Sequence, residues 1–166
     1  MTAAVLAPGP SLAGLGACPA GDLVLSINRA GLRFPSDWWA AADYPMVKWH
    51  GPAVLGTPNL LTRRDTAETL RERAARFPEV AFIEDVPMEH GCPPWQGKTL
   101  TCAMAFAFAW GAQAIDIFGA DMEGYRDWDG VAAGEDRTLK RWEQERAEFG
   151  ALADWMRQRG CAVTRK

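Results

Sequence analysis

Ala3 to Ala7 (AAVLA), Leu23 to Asn28 (LVLSIN) and Ala114 to Gly119 (AIDIFG) are short, mainly apolar runs, and they constrain the fold more than any other feature of the chain. A strand with one face in water alternates apolar and polar residues. A strand without that alternation must be covered on both faces, as in a parallel sheet held between helices. Further strands are predicted at Trp38 to Asp43, Ala53 to Gly56, Val80 to Glu84 and Ala162 to Arg165. Helical patterns lie between them at Asp65 to Phe77, Lys98 to Trp110 and Thr138 to Arg159, with shorter pieces after Ser11 and around Arg33 and Pro45. This alternation predicts the α/β class, a three-layer Rossmann-like fold with a mostly parallel sheet of about six or seven strands. The 166 residues suffice for a single domain, 1–166, with a full core.

A net charge of −3 and a pI near 5.4 give no general attraction to nucleic acid, and no basic run is interleaved with aromatics. No uninterrupted apolar run reaches the length of a membrane span. Met1 to Cys18 is apolar, but it has no Lys or Arg ahead of the apolar stretch and is broken by Pro8, Gly9 and Pro10, so it does not read as a signal peptide. Cys18, Cys92, Cys102 and Cys161 are far apart and form no Cys-x-x-Cys or Cys/His cluster. Free thiols and a cytoplasmic location are the expectation.

Gly97-Lys98-Thr99 runs into a small-residue helix pattern, as a phosphate loop would. The full motif needs a glycine at position 92, which is Cys92, while Gly91 stands one place too early. Pro93 and Pro94 stiffen the loop and remove two N–H donors that a phosphate cradle would use. The Walker motif is therefore excluded, leaving a helix start at Gly97 to Thr101 that attracts anions and that Thr99 or Thr101 is expected to cap.

In a parallel sheet, ligands bind beyond the carboxyl ends of the strands. Those predicted ends carry Gly9-Pro10-Ser11, Asn28, Asp43, Thr57-Pro58-Asn59, Asp85 and Gly119-Ala120-Asp121. Each residue has an ordinary use in a turn, but their succession on one edge points to a cleft. The segment GADMEGYRDWDG adds hard oxygens from Asp121, Glu123, Asp127 and Asp129, suited to Mg²⁺ held together with substrate phosphates. A solvated acidic turn, in which Asp121 merely bonds backbone N–H groups, is the alternative reading, and Asp127 and Asp129 lie on a glycine-flanked loop that can move. The arginines from Arg63 to Arg76 read as a solvated face with i,i+4 pairing to glutamates, and Leu139, Trp142, Phe149, Leu152 and Met156 mark a core stripe. Trp38-Trp39 reads as one core and one flanking aromatic, or as a stacking platform for a base. His50 and His90, the only histidines, fall in predicted loops.

The loop LAPGPSLAGLG, the strand LSIN and the segment IDIFGADM, with the helix TLTCAMAFAFAWGA before the last of these, resemble a Rossmann-like transferase superfamily. That superfamily includes the family 42 sialyltransferases, the MptE-like 6-hydroxymethylpterin diphosphokinases and small phage-encoded relatives. The resemblance spans Val5 to about Tyr125. It implies that Gly9, Pro10, Ser11 and Asn28 contact a nucleotide. It aligns Thr99 and Leu100 with a Ser-Gly pair, from which Leu100 departs. The sialyltransferase general base, a histidine beyond the GADM-like strand, has no counterpart here. Trp142-x-x-Glu145 and the Gly-Ala-Asp ending make the phage-type relatives the nearest in kind.

The expectation is thus a domain binding a nucleotide or nucleotide-sugar phosphate, and a Mg²⁺-assisted glycosyl- or diphospho-transferase. Gly9, Pro10, Ser11, Thr99 and Gly119 would surround phosphate, Asn28 and Asp43 would orient ribose or base, and Asp121 with Asp127 or Asp129 would hold metal. The alternative is a non-enzymatic phage or mobile-element accessory domain that retains the fold.

Overall fold

The computed structural model describes residues 1–132 and 138–166. Its strands are β1 (Thr2–Leu6), β2 (Leu23–Ile27), β3 (Trp38–Ala40), β4 (Asn59–Thr62), β5 (Val80–Phe82), β6 (Ala114–Phe118) and β7 (Ala162–Arg165). Its α-helices are α1 (Tyr44–His50), α2 (Arg64–Thr69), α3 (Arg71–Ala74), α4 (Thr99–Ala109) and α5 (Leu139–Arg157). The seven strands form one sheet in the order β5-β4-β3-β2-β1-β6-β7, and every pairing is parallel. Helices cover both faces, giving the three-layer Rossmann-like architecture that the unalternating apolar runs require. Ala3 to Leu6 are fully buried, as a central strand demands.

From β1 to β5 the chain winds outward in one direction; it then returns to place β6 on the other side of β1. The order therefore reverses between β1 and β6, and the loops that leave these two strands diverge to open a crevice.

The main core lies between the sheet and α4, where Leu100 to Ala107 are all buried. A helix apolar all round must be enclosed, and here α5 packs on it from outside. Trp38 and Trp39 point to opposite faces, as consecutive strand residues must. Both are buried, Trp38 against Phe106 and Trp110 and Trp39 stacked on Phe77, which corrects the expectation of a flanking or base-stacking tryptophan.

Two predicted elements change. No strand forms at Ala53 to Gly56: Gly51–Ala53 is a 3-10 turn, Leu55 is exposed, and Gly56 takes φ +74. The strand lies further on, where Leu60 and Leu61 are fully buried between β3 and β5. The helix expected from Asp65 to Phe77 is broken at Leu70, whose φ −109 and ψ 36 separate α2 from α3.

Candidate functional site

The crevice begins as an interlock of two glycines. The ladder between β1 and β6 continues past the strands, with Ala7 N–H donating to Phe118 O at 2.8 Å and Gly9 N–H to Gly119 O at 2.8 Å. A β-carbon on Gly9 would collide with the Gly119 carbonyl oxygen and the Asp121 carboxylate; one on Gly119 would collide with the Ala7 carbonyl oxygen. Gly9 thus serves close packing between the two loops. Pro10 opens a 3-10 turn, Pro10–Gly14, and the Ser11 N–H donates to Asp121 Oδ2 at 2.8 Å. Asp121 supplies the acceptor that the first turn would otherwise lack.

Beyond this interlock, Gly9, Asn28, Asp43, Thr99, Gly119 and Asp121 line one cleft. Pro10, Ser11, Asp127 and Asp129 do not line it. Asn28 and Met122 also border the cleft, and they are the two non-glycine residues with left-handed backbone among those described, at φ 49 and φ 51. Such conformations are uncommon outside glycine and gather at functional sites. The Asn28 carbonyl oxygen accepts from Trp39 Nε1 at 2.7 Å, which holds the strained residue in place. Its side-chain Oδ1, by contrast, is buried and has no hydrogen-bond partner among the described residues. Buried polar atoms are rarely left so.

On the opposite wall the N-terminus of α4 faces in through Gly97, Lys98 and Thr99. The expected threonine cap is not formed. Lys98 occupies the capping position without a side-chain bond, and the Thr101 hydroxyl donates backward to Trp95 O at 2.5 Å and Lys98 O at 2.9 Å. The first-turn N–H groups of α4 therefore receive no side-chain acceptor among the described residues, leaving a partial positive charge toward the cleft. Lys98 forms no ion pair among the described residues, while Arg63 steadies the approach to α4 by donating to Gln96 O at 2.7 Å. Leu100, at the position aligned with a glycine, is buried in the core. Trp142 and Glu145 of α5 complete the wall. The cleft encloses about 100 Å³. Sites for whole drug-sized molecules run from about 300 Å³ upward, so this volume suits one small polar group such as a phosphate.

Asp127 and Asp129 have another role. Arg29 pairs with both, with Nε 3.3 Å from Asp127 Oδ2 and a second contact from Nη2 to Asp129 Oδ2. Asp127 is buried, and the adjacent Trp128 donates its N–H to Pro8 O at 2.9 Å and its Nε1–H to Arg29 O at 3.1 Å. The segment expected to move is pinned to the β1 and β2 loops. No group of three or more His, Cys, Asp or Glu side chains among the described residues is arranged to hold a metal ion.

Burial pushes the Asp129 carboxyl up, but the Val131 N–H and the Arg29 guanidinium outweigh it, and the group lies below its usual range. A depressed carboxyl pKa stabilises the folded state above its unfolded value of about 4, and that contribution disappears as pH falls through the folded value. Burial, and then Arg29, similarly lower His50, so its neutral form is favoured in the folded chain and acid opposes both groups. Amide exchange at Trp128, corrected for intrinsic rates, is expected to accelerate below about pH 4. In Asp129→Asn the acid-dependent step should shrink and the protection at neutral pH should fall.

The four cysteines are free. Burial raises the Cys102 thiol to about 12, which removes it as a nucleophile near neutrality. No helix among the described residues is long and apolar enough to cross a membrane. Lys98 and Arg63 are cleft residues that sequence reasoning missed as binding groups, and Glu123, read there as a hard oxygen, lines the cleft as well; the Gly-Lys-Thr string was the available signal for Lys98. Among family models, curated proteins and solved structures, none matches the chain.

Proposed function

We propose that the cleft between β1 and β6 binds the phosphate of a nucleotide or nucleotide-sugar, and that the chain is a remote member of the transferase superfamily it resembles. The observation that carries this reading is Asn28: a left-handed backbone and a buried, unpartnered Oδ1 at the lip of a cleft facing an uncapped helix N-terminus. In this reading phosphate sits against the α4 N–H groups and Lys98. Asn28 and Asp43 meet the ribose or base, which extends outward because the cleft holds only about 100 Å³. Transfer would then rest on positioning and on charge neutralisation by Lys98 and Arg63. Asp127 and Asp129 do not fit as metal ligands, since both engage Arg29. Mg²⁺ would arrive with the phosphates and meet Asp121, as one carboxylate can suffice. The small volume also favours a second reading, a binding domain without turnover.

Thermal shift and calorimetry with nucleoside diphosphates and nucleotide sugars, with and without Mg²⁺, test this directly. A ligand at a hundred times its Kd should add about 2.7 kcal/mol to stability. Asn28→Gly relaxes the backbone and removes the amide, so stability should stay within about 1 kcal/mol of the parent, on the favourable side, while affinity drops about tenfold. Unchanged affinity in that variant, or no shift with any of these ligands, would overturn the proposal. Binding without product formation selects the second reading.

A further inference from the structure

A second cavity, of about 280 Å³, lies where the chain enters β4 and β5, at the sheet edge opposite the cleft. Val47, Pro52, Val54 and Phe77 give it apolar walls, and Arg73 and Arg76 stand in its lining without any carboxylate. The Phe77 ring is fixed by stacking on Trp39, with centroids 5.8 Å apart. Arg73 is fixed as well, donating from Nη1 to Lys48 O at 2.8 Å. That carbonyl bond leaves the guanidinium charge uncompensated, and neither arginine forms an ion pair among the described residues.

We infer that this cavity is a binding site for a small amphiphilic anion, a carboxylate attached to a single ring or a short chain. The apolar walls would take the body, and the two guanidiniums, three residues apart on and just beyond α3, would take the head. Arginine suits that head because its planar fork matches a carboxylate with two parallel hydrogen bonds. The volume decides the size class: it is nearly three times that of the cleft, enough for a ring and at the lower limit for drug-sized ligands. This inference stands apart from the nucleotide reading, because the two sites share no residue.

The test is a two-dimensional NMR titration of the full chain with 3-phenylpropionate, its neutral amide and acetate, each to about 10 mM, the scale of a weak millimolar ligand. The expected result is saturable shifts confined to residues 47–58 and 73–78 with 3-phenylpropionate, and binding weaker by about tenfold for both the amide and acetate. Arg76→Ala, at an exposed position, should weaken the acid by about tenfold and leave the spectrum otherwise native. Asn28→Gly should leave the acid's affinity unchanged, which separates this site from the cleft. Equal binding of the amide, full affinity in Arg76→Ala, shifts centred on the cleft, or no shifts at all would overturn the inference.

Discussion

Gly119→Ala should lose about 4 kcal/mol in urea unfolding, the largest effect expected of any single methyl group added to this chain. Two terms combine. The backbone at Gly119 has φ +70, where a side chain costs about 1–2 kcal/mol. The new β-carbon would also run into the Ala7 carbonyl oxygen, a backbone atom held in the β1–β6 ladder that cannot swing aside, and overpacking of that kind adds up to about 3 kcal/mol. Gly124→Ala separates the terms: φ is +73, but nothing lies within 4 Å of the added carbon, so about 1 kcal/mol is expected. Equal losses in the two variants would mean that the interlock is not a steric one.

Arg29→Ala should cost about 3 kcal/mol, because it breaks a buried pair by removing the guanidinium that Asp127 and Asp129 share. The Asp127 side chain is 2% exposed and that of Arg29 16%, so solvent cannot replace the lost cation well. Asp129→Ala should cost about 1 kcal/mol, since its side chain is 21% exposed and water can reach the arginine in its place. Arg29→Lys should fall between, retaining charge without a fork that reaches two carboxylates. A loss under about 1 kcal/mol for Arg29→Ala, read from chemical denaturation, would mean that the pair does not hold the segment.

The contrast between Asp121 and Asp127 shows where local sequence stops being informative. Asp121 was legible as a cleft residue because it follows directly from β6, and a parallel sheet fixes where a strand's end points. Asp127 and Asp129 read as acidic loop residues because their partner, Arg29, is about one hundred positions away and has no local signature. Strands covered on both faces declare themselves by lack of alternation, so the class and most of the sheet could be read directly. β4 could not: Ala53-Val54-Leu55 is as apolar as Asn59-Leu60-Leu61, and only pairing with β3 and β5 selects the second. The break at Leu70 has no glycine or proline to announce it. Thr101 carries the right group for a cap, but full burial turns its hydroxyl toward the Trp95 and Lys98 carbonyls.

Asn28 and Arg29 are consecutive residues of one 3-10 turn, Asn28–Leu32. The residue that would meet a ligand in the proposed function and the residue that grips the 127–129 segment are therefore neighbours in one short turn, so a ligand that alters the geometry of that turn would be linked to the grip. By reciprocity, the factor by which a filled cleft strengthens that grip is the factor by which an intact grip raises affinity for what fills it. Asp127 and Asp129 line no part of the cleft, yet if the cleft binds as proposed and the turn carries that link, they would act on its affinity through Arg29, and the exchange rate at Trp128 would be a gauge of occupancy read at a distance.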